Sequence, residues 1–142
     1  MRKTSNGVGV IVRTFAILAE PTRLRMLRLL RQQEELCVCE LVDALQLPQY
    51  AVSRHLRSLR SVGLVEARRN GKWMHYRLAP AEASTSFTRA ILDLLSREME
   101  CVPIRKQDDA RLSRRLGLRR SGQCVVGTGG VCGSAGKARA SA

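Results

Sequence analysis

Residues 35–45 read ELCVCELVDAL and place Cys37 and Cys39 one residue apart. A thiolate is both a nucleophile and a soft metal ligand, so two close together are suited to share one thiophilic ion. The surrounding residues complicate that reading. Leu36, Val38, Leu41, Val42 and Leu45 fit the broad apolar stripe of a helix. Positions i and i+2 of a regular helix do not face each other. The pair therefore shares an ion only if the helix start deforms, which would give that ion a preference for a distorted conformation. The competing reading is two buried cysteines packing as small hydrophobes. The chain has three more cysteines, Cys101, Cys124 and Cys132, making five. An odd number without secretory context indicates metal or redox chemistry, not a disulfide framework. There is no G-x-G-x-x-G, no P-loop and no acid/base cluster, so the chain does not read as an enzyme.

The elements that must position these thiols follow from periodicity. Val8, Ile11, Phe15 and Leu18 mark one face of a first helix. Arg13 interrupts its apolar run and Glu20-Pro21 follows it, so this stretch reads as a helix and not as a cleaved signal. Pro21 opens a second helix, with Leu24, Met26, Leu27 and Leu30 inward and Arg23, Arg25, Arg28 and Arg31 around them. The cysteine-bearing helix runs to about Leu45. A short link, 46–48, leads to a helix over 48–62 with Val52, Leu56 and Leu59 inward, stopped by Gly63. Asn70-Gly71 between the alternating runs of 64–78 predicts a hairpin. Trp73 and Tyr76 fall on opposite faces of its second strand. Ser84 caps a last helix carrying Phe87, Ala90, Ile91, Leu94 and Leu95, which Pro103 ends. From Ser121 onward Gly, Ser and Ala dominate, and disorder is expected. The fold class is α+β, mostly α: a winged helix-turn-helix with extra N- and C-terminal dimerisation helices. Residues 1–102 form the domain, and residues 103–142 a basic, flexible C-terminal tail.

The net charge of +13 points to a polyanionic partner. It is spread, with +6 over residues 1–100 and +7 over 101–142. Gln49, Tyr50, Ser53, Arg54 and Arg57 line the polar side of helix 48–62, where the second helix of a helix-turn-helix meets the major groove of double-stranded DNA. Arginine reads guanine bidentately, while serine contacts a base edge or a phosphate. Arg68, Arg69 and Lys72 cluster at the hairpin tip, placed for phosphates or a minor groove. His55 lies between the two sides of its helix and reads as a packing or phosphate-contact residue. A solvated basic face is the plain alternative, but the short turn, the hairpin and the charge together favour DNA. Nothing approaches the ~18 apolar residues of a membrane span, and a cytoplasmic protein is expected.

"LAEPTRLRMLRLL", "ELCVCEL" and "AVSRHLRSLRSVGLVEARRNGKWMHYRL", in that order, resemble the arsenic-repressor (ArsR/SmtB) family of bacterial winged-helix regulators over about residues 10–101. The resemblance implies a homodimer, paired through its terminal helices, that represses an arsenic-resistance operon. It also implies release of operator DNA when As(III) or Sb(III) binds as inducer. Those centres favour three thiolates. Family members with this signature often carry a third cysteine three residues after the second, where this chain has Val42. A third ligand must come from elsewhere in the chain, or from a cellular thiol or water, and Cys101, seven residues after Leu94 on the last helix, is the leading candidate. Cys124 and Cys132 read as incidental tail cysteines. The zinc-sensing branch uses Asp and His on the last helix. Here that helix has Asp93 and no histidine, which speaks against such a site. A cadmium- or lead-type thiolate sensor and a thiol redox switch remain as alternatives, with no membrane role.

Overall fold

Helix α2 (Pro21–Gln32) is the central support. Its N-cap Glu20 accepts a hydrogen bond from the Arg23 amide at 3.1 Å, and Pro21 occupies the first turn, where a missing N–H costs nothing. Met26, Leu29 and Leu30 are almost wholly buried. They pack with Leu41, Ala44 and Leu45 of α3 (Val38–Leu45) and Val52, Leu56 and Leu59 of α4 (Gln49–Ser61) into one core. The computed structural model describes residues 7–125 and 127. Helices α3 and α4 are joined through Gln46, which adopts a left-handed conformation (φ 59°), while Pro48 precedes α4. Arg23 ties the layers together: its Nε donates to His55 Nδ1 at 3.1 Å and its Nη1 to the Ile17 carbonyl at 2.9 Å. The last of these belongs to α1 (Gly7–Leu18).

The sheet has three antiparallel strands, with β1 (Leu36–Cys37) and β2 (Val65–Asn70) flanking β3 (Trp73–Leu78). Asn70 pairs with Trp73, so Gly71 and Lys72 form the two-residue turn of the wing. Gly71 has φ 64°, and glycine at the first central position suits a tight hairpin turn. Helix α5 (Ser86–Glu98) follows, capped by Thr85, whose side chain accepts from the Thr88 amide at 3.1 Å. Ser84 instead donates to the Pro80 carbonyl, so the cap lies one residue later than the sequence suggested.

Two expectations are corrected. The cysteines do not both lie within a helix. Leu36 and Cys37 form β1, Cys37 pairing with His75, and Cys37 is the extended N-cap of α3 (φ −86°, ψ 165°). Strand pairing wins there because it buries Leu36 fully and satisfies the backbone. Residues 103–142 also do not begin as a flexible tail. Arg105–Leu116 forms a sixth helix, α6, packed on α2 and α3. Its inward side is ionic: Asp108 and Arg115 are as buried as Leu112. Asp108 accepts two bonds from Arg25 at 2.8 and 2.9 Å, and Asp109 accepts two from Arg28 at 2.7 Å. The arginines of α2 thus meet the acids of α6 as bidentate pairs, the strongest form of such contacts. The disorder expected from Ser121 onward falls largely outside the described residues.

Helices α1 and α5 meet within one chain, where the Phe15 and Phe87 rings lie edge to face at 6.1 Å. Their outer side leaves Val8, Ile11, Val12 and Leu94 exposed.

Candidate thiolate site and nucleic-acid interface

The extended backbone at Cys37 turns its side chain toward the first turn of α3. The sulfurs of Cys37 and Cys39 lie 2.8 Å apart, without any deformation of a helix. A third sulfur joins them. Cys124 Sγ is 3.2 Å from Cys39 Sγ, and the three sulfurs fall within 4.8 Å of one another. All three residues are at most 4% exposed, and Trp73 packs against them. The pairing with Cys39, then burial, pushes the Cys37 thiol far above its ordinary range. Burial, then the bond to Cys37, raises Cys124. Both shifts favour the protonated thiol at Cys37 and at Cys124.

Cys101 is not brought to this cluster. The helix tightens into a 3₁₀ turn over Met99–Cys101, so Cys101 leaves the apolar face of α5 and is exposed. Cys132 lies outside the described residues. Sequence reasoning missed Cys124 because only the docking of α6 carries it back to α3, and that docking leaves no apolar periodicity. Asp93, the zinc-branch position, pairs with Arg31 at 3.1 Å.

On one side of the thiols, a groove of about 390 Å³ is lined by Cys37, Val38, Cys39, Gln49, Ser53, Lys72, Trp73, Met74 and Tyr76. It joins the thiol pair to the start of α4 and to the wing. Beyond it, Gln49, Tyr50, Arg54 and Arg57 are exposed on α4, and the Arg54 guanidinium stacks over the Tyr50 ring at 5.8 Å. Ser53 is half-buried. His55 is also half-buried, its Nδ1 engaged by Arg23, and burial followed by nearby arginines outweighs Glu20 and lowers its pKa. On the wing, Arg69 and Lys72 are exposed, with Lys72 over the Trp73 ring at 5.1 Å. Arg68 is committed to Glu35 through two bonds of 2.9 and 2.6 Å. The exposed basic residues of α4 and the wing flank the groove.

The family model for bacterial regulatory proteins of the arsR family matches residues 20–67, from the start of α2 into the wing. The arsenic resistance transcriptional regulator ArsR1 of Pseudomonas putida KT2440 is 52% identical over 66 residues, covering 46% of this chain and 52% of that protein. The arsenical resistance operon repressor of Escherichia coli K12 is 51% identical over 69 residues, covering 49% and 59%. The chain thus spans little more than half the length of these curated relatives. A cadmium resistance regulatory protein, CadC of Listeria innocua, also matches, at 34% identity over 62 residues (44% of this chain and 52% of that protein). Among solved structures, the homodimeric winged helix-turn-helix DNA-binding domain Mb0332 of Mycobacterium bovis, described as a possible ArsR-family regulator, superposes with a TM-score of 0.57. It is 30% identical, covering 70% of this chain and 85% of that domain. Motif, fold and relatives agree, and this chain belongs to the arsR family of bacterial regulatory proteins.

Proposed function

We propose that this chain is a homodimeric transcriptional repressor that leaves its operator when trivalent arsenic or antimony binds the thiolates of Cys37 and Cys39. One observation carries the reading: the two sulfurs lie 2.8 Å apart, and their residues line the groove that also holds Gln49, Ser53 and Lys72. A buried, oxygen-free set of sulfur donors suits a soft centre and suits hard cations poorly. Buried thiols also suit arsenous acid. Each thiol gives its proton to a departing hydroxide as an As–O bond is exchanged for an As–S bond, so water leaves and arsenic stays trivalent. A divalent cation would instead have to expel protons from buried thiols.

The coupling follows from position. The ion joins the N-cap of α3 to its first turn, against the wall of the groove opposite Gln49 and Ser53. Ion-bound and DNA-bound arrangements of that groove compete, and their difference in affinity is the switch. The test is release of operator DNA by arsenite under strong reductant, compared with release by peroxide without any metalloid. Release by peroxide alone would replace the reading with a thiol redox switch, and release by cadmium but not arsenite with a divalent-metal sensor.

DNA binding has its own test. Arg54→Ala is expected to weaken operator binding by ~1–3 kcal/mol, the worth of a bidentate base contact, with the fold unchanged because Arg54 is exposed. Arg69→Ala at the wing should weaken all DNA alike and reduce the salt slope by about one. Fluorescence anisotropy at several salt concentrations measures both. Operator affinity unchanged in Arg54→Ala at matched salt would show that α4 presents a different side to DNA.

Assembly rests on the outer side of α1 and α5. Phe15 and Phe87 already touch within one chain, so the pair of helices presents one joint apolar patch through Val8, Ile11, Val12 and Leu94. A second copy would cover it. Leu94, 44% exposed, faces that patch. Leu94→Glu should sediment as a monomer or aggregate and lose binding to a palindromic site. A stable monomer that binds the site like wild type would remove the dimer from the proposal.

A further inference from the structure

We propose that the segment from α6 to Cys124 is a strap that supplies the third thiolate to the metalloid, so that the ion fastens the C-terminal segment to the N-cap of α3. The inference rests on the metalloid-sensing reading above and names the donor set of that site.

The strap is built residue by residue. Arg115, 1% exposed, pairs with Asp43 of α3. Four residues on, Arg119 donates to both carboxylate oxygens of Glu40 at 2.7 and 2.8 Å and to the Glu35 carbonyl at 2.9 Å. The chain then reverses. Arg120 and Gln123 exchange backbone hydrogen bonds of 2.9 and 3.0 Å, with Ser121 and Gly122 both at positive φ (53° and 75°). A turn with two such central residues is the tight reversal that joins antiparallel segments. Cys124 is the next residue, and its sulfur lands 3.2 Å from that of Cys39. Arg115 also donates to Cys124 Sγ at 3.4 Å and to the Gly127 carbonyl at 2.9 Å, so one buried guanidinium spans α3, the third sulfur and the chain beyond it.

The chemistry requires only what these residues provide. A trivalent arsenic already bound to Cys37 and Cys39 keeps one hydroxide. Cys124 attacks, the last As–O bond breaks as the third As–S bond forms, and the thiol proton leaves with the hydroxide as water. Arsenic is neither oxidised nor reduced. Helix α3 itself carries no further cysteine after Cys39, and Val42 stands one turn on. Here the third donor comes from about 85 residues further along the chain, and the ion closes a long loop.

The test uses the full-length protein, arsenite and phenylarsine oxide, a trivalent arsenical that accepts only two thiolates. X-ray absorption on the arsenite complex should give three sulfurs for wild type and for Cys101→Ser, and two for Cys124→Ser. Arsenite affinity should fall at least tenfold in Cys124→Ser, while phenylarsine oxide still releases DNA from it. Circular dichroism of Cys124→Ser and Cys124→Ala checks that each folds. Three sulfurs in a folded Cys124 variant, two in wild type, or a drop to two in Cys101→Ser would each overturn the strap. Failure of both arsenicals to bind wild type would overturn the sensing reading instead.

Discussion

Serine in place of either Cys37 or Cys39 is expected to leave the operator occupied at arsenite concentrations that clear it of the wild-type protein. The two sulfurs stand 2.8 Å apart in a buried site, and only this pair ties the N-cap of α3 to its first turn. A serine hydroxyl keeps the volume but is a hard donor, and a soft centre gains little from it. The size of the effect follows from the switch. Moving a repressor from mostly bound to mostly released, 1:99 to 99:1, requires about 5.5 kcal/mol of differential affinity. With one thiolate missing, arsenite loses a third of its donors, and phenylarsine oxide is left with a pair that includes Cys124 and no longer joins the N-cap of α3 to its first turn, so both responses should vanish together. Cys124→Ser, by contrast, should lose mainly the arsenite response. DNA binding without ion needs only the exposed side chains of α4 and the wing, which a serine at either position leaves in place. An anisotropy titration of operator complex with each arsenical under reductant reads all of this. Wild-type release from Cys37→Ser would show that the i, i+2 pair is not the sensor.

What was legible in the sequence was whatever rests on apolar periodicity or on a turn that one residue type dictates. Val52, Leu56 and Leu59 set the inner side of α4, Gly63 its end and Asn70-Gly71 the wing, and each stands within a residue of where it was read. The start of α3 was misread because Leu36 suits the inner side of a helix and a buried strand equally well. Only pairing with β3, a contact across nearly forty residues, decides between them. That local difference matters for function. A helical Cys37 would need distortion to meet Cys39, whereas an extended one meets it at rest. Helix α6 was invisible for a different reason. Its docking side alternates acids and arginines with only Leu112 and Leu116, a pattern that reads as a solvated basic tail until Arg25, Arg28, Glu40 and Asp43 are placed opposite. Cys124 was lost with it.

Glu40→Ala should destabilise the protein by about 3 kcal/mol. Glu40 is completely buried. Its carboxylate holds Arg119 through two bonds and accepts the Cys37 amide at 3.0 Å, so it caps α3 and fastens α6 at once. Removing one partner of a buried pair costs ~3–5 kcal/mol, because the other charge is left behind. Arg119 is one-fifth exposed and can reach water, which puts the expected value at the low end. Glu40→Gln keeps the shape and an acceptor for the Cys37 amide, and should lose less. The pH dependence separates charge from shape. Burial alone would raise the Glu40 carboxyl, but Arg119, with the Cys37 amide, outweighs it and holds it below the ordinary carboxylate value. A depressed folded pKa stabilises above the unfolded value of ~4.3, and that contribution disappears as the pH falls through the folded value. Wild type should therefore exceed Glu40→Gln in urea midpoint at pH 7, and the two should converge as the solution is acidified well below pH 4. Equal midpoints at pH 7 would show that the Glu40–Arg119 pair does not hold α6 in place.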